Sequence, residues 1–259
     1  MTASAHGGSG HGLLQGKTVL LTAAAGSGIG YATAQRCVEE GARVFISDTH
    51  ERRLAEAARN LSQISGIEVG TLRCDVTSEA EVQALVNAAV ERLGHLDVLV
   101  NNAGLGGTAN VVDMTDEQWQ RVLDVSLTGT FRVTRAVLKH MLPRRSGAIV
   151  NNASVLGWRA QAGQAHYAAA KAGVMALTRC VAMEAAGAGV RINAVAPSLA
   201  MHPFLAKVTS VELLAELTQR EAFGRAAEPR EVANVIVFLA SDLASYLTGE
   251  VISVSSQHA

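Results

Sequence analysis

The sequence predicts an α/β fold, in which a doubly wound, parallel seven-stranded sheet carries helices on both faces of a single domain. Short apolar stretches alternate with longer helical patterns from residue 17 to residue 254. Some short stretches are apolar at every position, as at 148–150, which is typical of a strand buried on both faces. No linker or change of composition interrupts the alternation, so we expect one domain over residues 13–259.

The first half of the chain supplies four strands and three helices in alternation. We expect strands at 17–23, 43–47, 68–74 and 96–100, and helices at 31–40, 50–61 and 79–92. Glycine is a common residue just past a helix end, and Gly41 and Gly94 follow two of these helical patterns.

The second half continues the alternation with longer helices. We expect helices at 116–142, 164–186 and 228–240, and strands at 147–151, 190–195 and 250–254. Pro143 is expected to end the first of these helices, and Pro197 to stop the sixth strand.

Two segments fall outside the alternation. The stretch near 199–223 holds one helical pattern, at 211–220. An insertion beside the carboxyl ends of the strands is a candidate substrate lid, and the alternative is a surface helix without a role in binding. Residues 1–12 are small, polar and glycine-rich, and we expect a flexible tail there.

Composition excludes several classes of protein. The net charge is −1, from 22 basic and 23 acidic residues, so we expect no nucleic-acid partner. No apolar run is long enough to cross a membrane, and the first residues do not resemble a secretory signal. Cys37, Cys74 and Cys180 form no disulfide or metal pattern, which favours a cytoplasmic protein without a metal site.

A glycine-rich turn joins the first strand to the first helix, at 23–30. Such a turn lets the backbone approach a pyrophosphate at a helix N-terminus, with Ser27, Gly28 and Ile29 as candidate contacts. Asp48 lies 20 residues after Gly28, where a carboxylate can accept hydrogen bonds from a ribose. The alternative is a structural turn with a capping aspartate.

Asp48 also bears on the choice of dinucleotide. Its carboxylate would repel a 2′-phosphate, which favours NAD over NADP. Arg52 and Arg53 lie close in sequence and leave NADP open, unless they are solvated residues of a helical first turn.

Further motifs follow the later strands: Asn101-Asn102-Ala103-Gly104, then Ser154, then Tyr167 and Lys171 in a Tyr-x-x-x-Lys pattern. Together with the glycine-rich turn, they resemble the short-chain dehydrogenase/reductase family over roughly residues 13–254. The resemblance implies a Rossmann-like fold and hydride exchange between a nicotinamide and an alcohol or ketone. It also implies a homotetramer or homodimer.

The resemblance assigns roles to matching positions. It implies that Tyr167 is the general acid/base, that Ser154 binds the substrate oxygen, and that Lys171 holds the nicotinamide ribose and tunes the tyrosine. Further cofactor contacts are implied at Asp75, Val76, Asn102, Gly104, Pro197 and Leu199, and substrate contacts at Trp158 and Gln164.

The chemistry of these residue types agrees with the implied roles. Positions 167 and 171 share one face of a helix because they are four residues apart. A free tyrosine has a pKa of about 10, and a nearby ammonium together with an oxidised nicotinamide would lower it. A serine hydroxyl can donate a hydrogen bond to the reacting oxygen.

Several positions depart from the family pattern, including Ser198, His202 and the ending Val254-Ser255-Ser256. Ala23 stands where the turn usually has its first glycine, and the loop is one residue longer. Ser126 stands where the family often has a catalytic asparagine that helps position a proton-relay water. A serine hydroxyl could hold that water in a rearranged relay.

The substrate is the least determined feature. Trp158 offers apolar area and Arg159 a cation, which suits an apolar CoA thioester, unless Trp158 only packs its loop and Arg159 is solvated. Stretches 22–30, 50–54, 151–161 and 249–257 resemble a narrower group, the actinobacterial reductases of steroid-ring catabolism that act on a hydrindanone carboxyl-CoA.

Three alternatives remain. A 3-oxoacyl or acetoacetyl thioester reductase comes second, and a sugar or polyol dehydrogenase third. The alternative from a different class is a catalytically silent dinucleotide-binding regulator. The intact Ser154, Tyr167 and Lys171 argue against that role, and Ser126 is the feature in its favour.

Overall fold

The computed structural model describes residues 10–201 and 211–256. Within them, seven parallel strands form one sheet in the order β3-β2-β1-β4-β5-β6-β7. The strands are β1 Thr18–Leu21, β2 Arg43–Asp48, β3 Gly70–Arg73, β4 Val98–Asn101, β5 Gly147–Asn152, β6 Val190–Pro197 and β7 Val251–Val254. The strand order reverses between β1 and β4, and open parallel sheets bind ligands at such a point.

The helices connect these strands in alternation. They are α1 Ile29–Glu39, α2 Glu51–Ser65, α3 Glu79–Leu93, α4 Asp116–Leu123, α5 Gly129–Arg144, α6 Ala165–Ala186, α7 Val211–Gln219 and α8 Pro229–Ala240. The predicted single-domain α/β fold is therefore confirmed.

Both faces of the sheet are covered because successive strand residues point to opposite sides. Val19 and Leu21 pack in a cluster that includes residues of α1, α2 and α8. Leu20 between them packs in a second cluster, with residues of α3, α5 and α6. The strands are consequently apolar at almost every position, as the sequence indicated.

The helix predicted at 116–142 differs from the observed structure. A π-helical turn at Asp124–Thr128 separates α4 from α5, and α5 runs through Pro143 to Arg144. The expectation that Pro143 ends the helix is wrong. A proline costs the helix one backbone hydrogen bond, and Arg145, in the left-handed conformation, caps the end by donating its N–H to the Leu142 carbonyl.

The segment at 199–223 is anchored at both ends. At one end, Met201 N–H donates to Ala227 O and Ala227 N–H donates to Leu199 O. At the other end, the buried Glu221 carboxylate accepts from the backbone and the hydroxyl of Ser256. The middle of the predicted lid, 202–210, lies outside the described residues, as does most of the predicted tail, 1–9.

The cysteines differ sharply in their surroundings. Cys37 and Cys74 are buried, and burial raises the pKa of each thiol to about 12. Cys180 is exposed on α6. Among the described residues, no helix combines the length and the apolar character needed to cross a membrane.

Candidate active site

The candidate site lies at the carboxyl ends of β1 and β4, where the strand order reverses. Thr22, directly after β1, joins the two strands: its Oγ1 accepts from the backbone N–H groups of Asn102 (3.0 Å) and Ala103 (3.2 Å). Asn102 Nδ2 donates back to Ala23 O at 2.9 Å. These bonds fix the start of the glycine-rich turn against the loop after β4.

The turn itself opens onto the N-terminus of α1. Gly26 and Ser27 are exposed, and Gly28 is the N-cap. In the described chain no side chain caps this helix, and its first turn has no acidic residue. Its N–H groups and the positive end of its dipole therefore remain available to an anion, which fits a dinucleotide pyrophosphate.

Two positions show how the longer turn is accommodated. Ala23 adopts a positive φ of 51°, a conformation that glycine adopts more easily. Gly30 packs so closely that a Cβ there would overlap Ala23 O and lie 2.5 Å from Asn102 Nδ2. The family's close helix-to-strand approach is thus kept at Gly30, although the first glycine is absent.

Asp48, at the end of β2, stabilises the glycine-rich turn through hydrogen bonds. Its Oδ2 accepts from Ala25 N–H at 3.2 Å, and its Oδ1 accepts from His50 N–H at 3.0 Å. Burial raises the pKa of Asp48, opposed by the hydrogen bond from Ala25 and by the charge of Arg53. Each carboxylate oxygen has lone pairs left for ribose hydroxyls.

A cleft of about 1080 Å³ extends from Asp48 past three other residues predicted from the sequence: Asp75, Val76 and Gly104. The Asp75 carboxylate accepts from the backbone and hydroxyl of Thr77, and the backbone hydrogen bond is the main cause of its lowered pKa. The cleft can hold the adenosine half of a dinucleotide, because the pyrophosphate turn borders one end of it.

The three predicted catalytic residues meet beyond Gly104. Ser154 is 8% exposed and begins a short 3₁₀ turn, where its Oγ accepts from Leu156 N–H. The side chain of Tyr167 lies close enough to that of Ser154 for a hydrogen bond between them to lower the tyrosine pKa. Lys171, one turn further along α6, is 2% exposed and places Nζ 5.6 Å from the centre of the Tyr167 ring.

The protonation equilibria of this group differ from the sequence expectation. Burial raises the pKa of Tyr167, and the hydrogen bond with Ser154 opposes the rise. Burial also lowers the pKa of Lys171 to about 8, since a dry environment disfavours the ammonium. Lys171 and an oxidised nicotinamide were expected to lower the tyrosine pKa; in the chain by itself, burial is the largest cause, and Lys171 is not among the causes of the shift.

A chain of amides connects the turn to the lysine. Asn152 Nδ2 donates to Asn102 Oδ1 at 2.9 Å, and Lys171 Nζ donates to Asn152 O at 2.6 Å. The sequence analysis missed Asn152, although its place at the end of β5, two residues before Ser154, was a usable signal. This series of hydrogen bonds makes the glycine-rich turn and Lys171 parts of one polar network.

Ser126 lies on the π-helical turn and is fully buried. Its hydroxyl accepts from Leu105 N–H at 3.0 Å and donates to Leu105 O at 3.1 Å. Its single proton is therefore engaged by backbone, and only acceptor capacity remains for a water. Ser126 consequently fixes the backbone next to Gly104.

The two predicted substrate residues differ in their surroundings. Trp158 is 51% exposed and ends the 3₁₀ turn that starts at Ser154, so its ring is available to a substrate. Gln164 Nε2 donates to Gly107 O (2.8 Å) and Thr108 Oγ1 (3.1 Å). Its amide nitrogen thus ties the loop after β4 to the start of α6.

The last two predicted cofactor residues follow β6. Pro197 is buried at the end of that strand, whereas Leu199 is half-buried and accepts from Ala227 N–H through its backbone. They lie at the base of the anchored segment 199–223.

Comparison with known proteins places this geometry in a family. The family model described as enoyl-(acyl carrier protein) reductase matches residues 23–256. The chain belongs to the short-chain dehydrogenase/reductase family. It is an oxidoreductase, and the family binds NAD or NADP.

Individual relatives show how close the similarity is. The chain is 65% identical, over 96% of each sequence, to the (5R,7aS)-5-hydroxy-7a-methyl-1-oxo-2,3,5,6,7,7a-hexahydro-1H-indene-carboxyl-CoA reductase of Mycobacterium tuberculosis. It is 41% identical to a 3-oxoacyl-(acyl-carrier-protein) reductase of Thermotoga maritima, over 93% of this chain and 97% of that one. A crystal structure of a short-chain dehydrogenase from Mycobacterium smegmatis is 59% identical, covers 96% of both chains and gives a TM-score of 0.86.

Proposed function

We propose that this chain is an NAD-dependent oxidoreductase that interconverts a secondary alcohol and a ketone on a fused-ring CoA thioester of steroid-ring catabolism. The observation that carries the proposal is the Ser154–Tyr167 pair beside the buried Lys171. The 65% identity to the M. tuberculosis reductase supports the substrate class.

Each side chain of this group has a distinct task. A nicotinamide dinucleotide, when bound, supplies or accepts the hydride. Ser154 donates a hydrogen bond to the substrate oxygen and holds it beside the Tyr167 hydroxyl. In the direction of reduction Tyr167 gives its proton to that oxygen, and in the direction of oxidation it takes the proton back. The Lys171 ammonium favours the phenolate that results.

The choice of NAD rests on Asp48. Its carboxylate borders the cleft beyond the pyrophosphate turn, where it would accept from ribose hydroxyls and repel a 2′-phosphate. We expect Asp48→Ala to weaken NADH binding at least about tenfold and to narrow the preference for NADH over NADPH. Fluorescence titration with both dinucleotides tests this, and a wild-type preference for NADPH would contradict the assignment.

The experiment that tests the chemistry compares two tyrosines. We expect Tyr167→Phe to lose roughly 10²–10⁴-fold in kcat while its affinity for NADH stays within about threefold of wild type. Tyr246→Phe is the matched control, because Tyr246 is fully exposed. Retention of a tenth or more of the wild-type kcat in Tyr167→Phe would refute the role of Tyr167.

The substrate panel separates the leading alternatives. It contains a hydrindanone carboxyl-CoA, acetoacetyl-CoA and a simple polyol, each assayed by nicotinamide absorbance. We expect the highest kcat/KM with the bicyclic thioester. Preference for acetoacetyl-CoA would instead favour a 3-oxoacyl thioester reductase, the candidate that the 41% identity to the T. maritima enzyme supports.

We also propose that the protein is a cytoplasmic homotetramer or homodimer. In each subunit, residues 13–259 would form one catalytic domain, and residues 199–223 would form its substrate lid. The anchoring of that segment at Leu199 and at Glu221 supports a lid held at both ends. Phe131 on α5, which is 39% exposed, supports self-association through this helix. Sedimentation velocity tests the assembly state.

A further inference from the structure

The loop after β4 crosses the catalytic face of α6 with almost no side chains. Gly104, Gly106 and Gly107 are all exposed on it. A Cβ on Gly104 would lie 3.3 Å from Lys171 Nζ, one on Gly106 would lie 3.9 Å from Tyr167 Cδ2, and one on Gly107 would lie 3.2 Å from His166 Nε2. We call residues 104–108 the glycine strap.

The glycine strap is held in place at both ends. Ser126 binds both backbone groups of Leu105, and Gln164 binds Gly107 O and Thr108 Oγ1. The backbone of the strap is therefore fixed over Tyr167, and its distance from the phenol ring is set by residues outside the strap.

Gly106 differs from its two glycine neighbours. Within the described chain, the Tyr167 ring edge is the only feature within 4 Å of the position that a Cβ would take. The backbone there has no positive φ, so glycine is not required for its conformation. The absence of a side chain at Gly106 leaves space beside the edge of the Tyr167 ring that no described side chain fills.

A second observation also points to a ligand at this place. His166 is 2% exposed beneath Gly107, and its Nδ1 has no hydrogen-bond partner in the described part of the chain. Buried polar atoms are rarely left without a partner. Directly beneath the glycine strap there is therefore a buried polar atom whose partner the described residues do not supply.

We propose that Gly106 is a specificity-determining residue: the space beside Tyr167 admits a ketone that is part of a ring system. The inference rests on the proposed function. A ring carbonyl carries bulky substituents on both sides, and one side must lie against the glycine strap once the oxygen reaches Ser154 and Tyr167. A linear ketone can turn its chain away from the strap.

The test adds a side chain at Gly106 and compares two thioesters that share the CoA group. We expect Gly106→Val to lower kcat/KM for the hydrindanone carboxyl-CoA by roughly 10- to 100-fold, since one or two methyl groups in a tight pocket have effects of this size. We expect kcat/KM for acetoacetyl-CoA to change less than about threefold. Gly106→Ala should give a smaller change in the same direction.

Two controls test whether the change in the ratio of kcat/KM values is specific to the space at Gly106. Gly187→Val alters a glycine at the end of α6 whose Cβ position has no described neighbour within 4 Å, and it should leave the ratio of the two kcat/KM values unchanged. NADH affinity and the melting temperature of Gly106→Val should match those of wild type, because the new Cβ meets Tyr167 only at ordinary contact distance.

The outcomes separate the inference from the proposed function. A Gly106→Val enzyme in which both kcat/KM values fall equally, or in which neither falls, would overturn the inference alone. A wild-type enzyme that turns over acetoacetyl-CoA but not the bicyclic thioester would overturn the proposed function and, with it, the inference.

Discussion

Replacing Lys171 should make the protein more stable at neutral pH. Lys171 is 2% exposed, and burial lowers its pKa from 10.5 to about 8. At pH 7 the folded chain must hold a buried ammonium, at a cost of about 3 kcal/mol relative to the unfolded chain. Lys171→Met removes this cost but also removes the hydrogen bond to Asn152 O, which is worth about 1–3 kcal/mol.

Whether Lys171→Met is more or less stable than wild type depends on pH. Between the folded pKa of about 8 and the unfolded pKa near 10.5, the unfolded state binds more protons than the folded state. Stability therefore rises with pH in this window. Wild type should gain about 2.5 kcal/mol from Lys171 between pH 7 and pH 10, and Lys171→Met should gain nothing from this position.

The assay is equilibrium unfolding in urea at pH 7, 8, 9 and 10, at one protein concentration. The free-energy difference between variant and wild type cancels the other titrating groups. We expect Lys171→Met to be about 1 kcal/mol more stable at pH 7 and less stable at pH 10, while its turnover is lost. Lys139→Met, which replaces an exposed lysine on α5, is the matched control.

The reasoning would be refuted if the difference in unfolding free energy between Lys171→Met and wild type stayed constant from pH 7 to pH 10. A constant difference would mean that the Lys171 pKa is not lowered in the folded chain. If Lys171→Met were much less stable than wild type at pH 7, the cost of burying the ammonium could not exceed the free energy of its hydrogen bond to Asn152.

Two further predictions concern packing around the site. Gly30→Ala should destabilise the fold by about 1–3 kcal/mol and weaken NADH binding at least about tenfold, because the new methyl overlaps Ala23 O. Thermal melting measures the loss of stability, and fluorescence titration measures the loss of NADH affinity. An unchanged melting temperature would contradict the overlap. Asn151→Leu should cost about 1–3 kcal/mol, because it removes one of the two hydrogen-bond partners of Asn101 Nδ2 and of Thr178 Oγ1 at buried positions. Urea unfolding measures that cost, and a loss below about 0.5 kcal/mol would show that the hydrogen bonds of Asn151 to Asn101 and Thr178 add little to stability.

The strands and the order of the helices followed from the sequence because burial on both faces forces apolar runs such as 148–150. The grouping of Ser154, Tyr167 and Lys171 depended on family resemblance, and the structure brings the three together. Their separation along the chain gives no such proximity by itself, since it is produced by tertiary packing of α6 against β6 and against the 3₁₀ turn that Ser154 begins.

Other features depended on partners that the sequence does not reveal. The hydroxyl of Ser126 was expected near a relay water, but Leu105 engages its proton. Gln164 stays a predicted substrate contact, and its amide nitrogen also bonds the loop after β4. Each of these polar groups could have bonded several neighbours, and only the packed structure determines which.

The contrast among the three cysteines has a practical consequence for following this protein in solution. Thiolates are the reactive form, and the raised pKa values of Cys37 and Cys74 keep those thiols protonated and shielded. A maleimide dye should therefore attach at Cys180 alone, without any prior mutagenesis. Because Cys180 lies on the helix that also carries Tyr167 and Lys171, the dye would report motions of α6 itself.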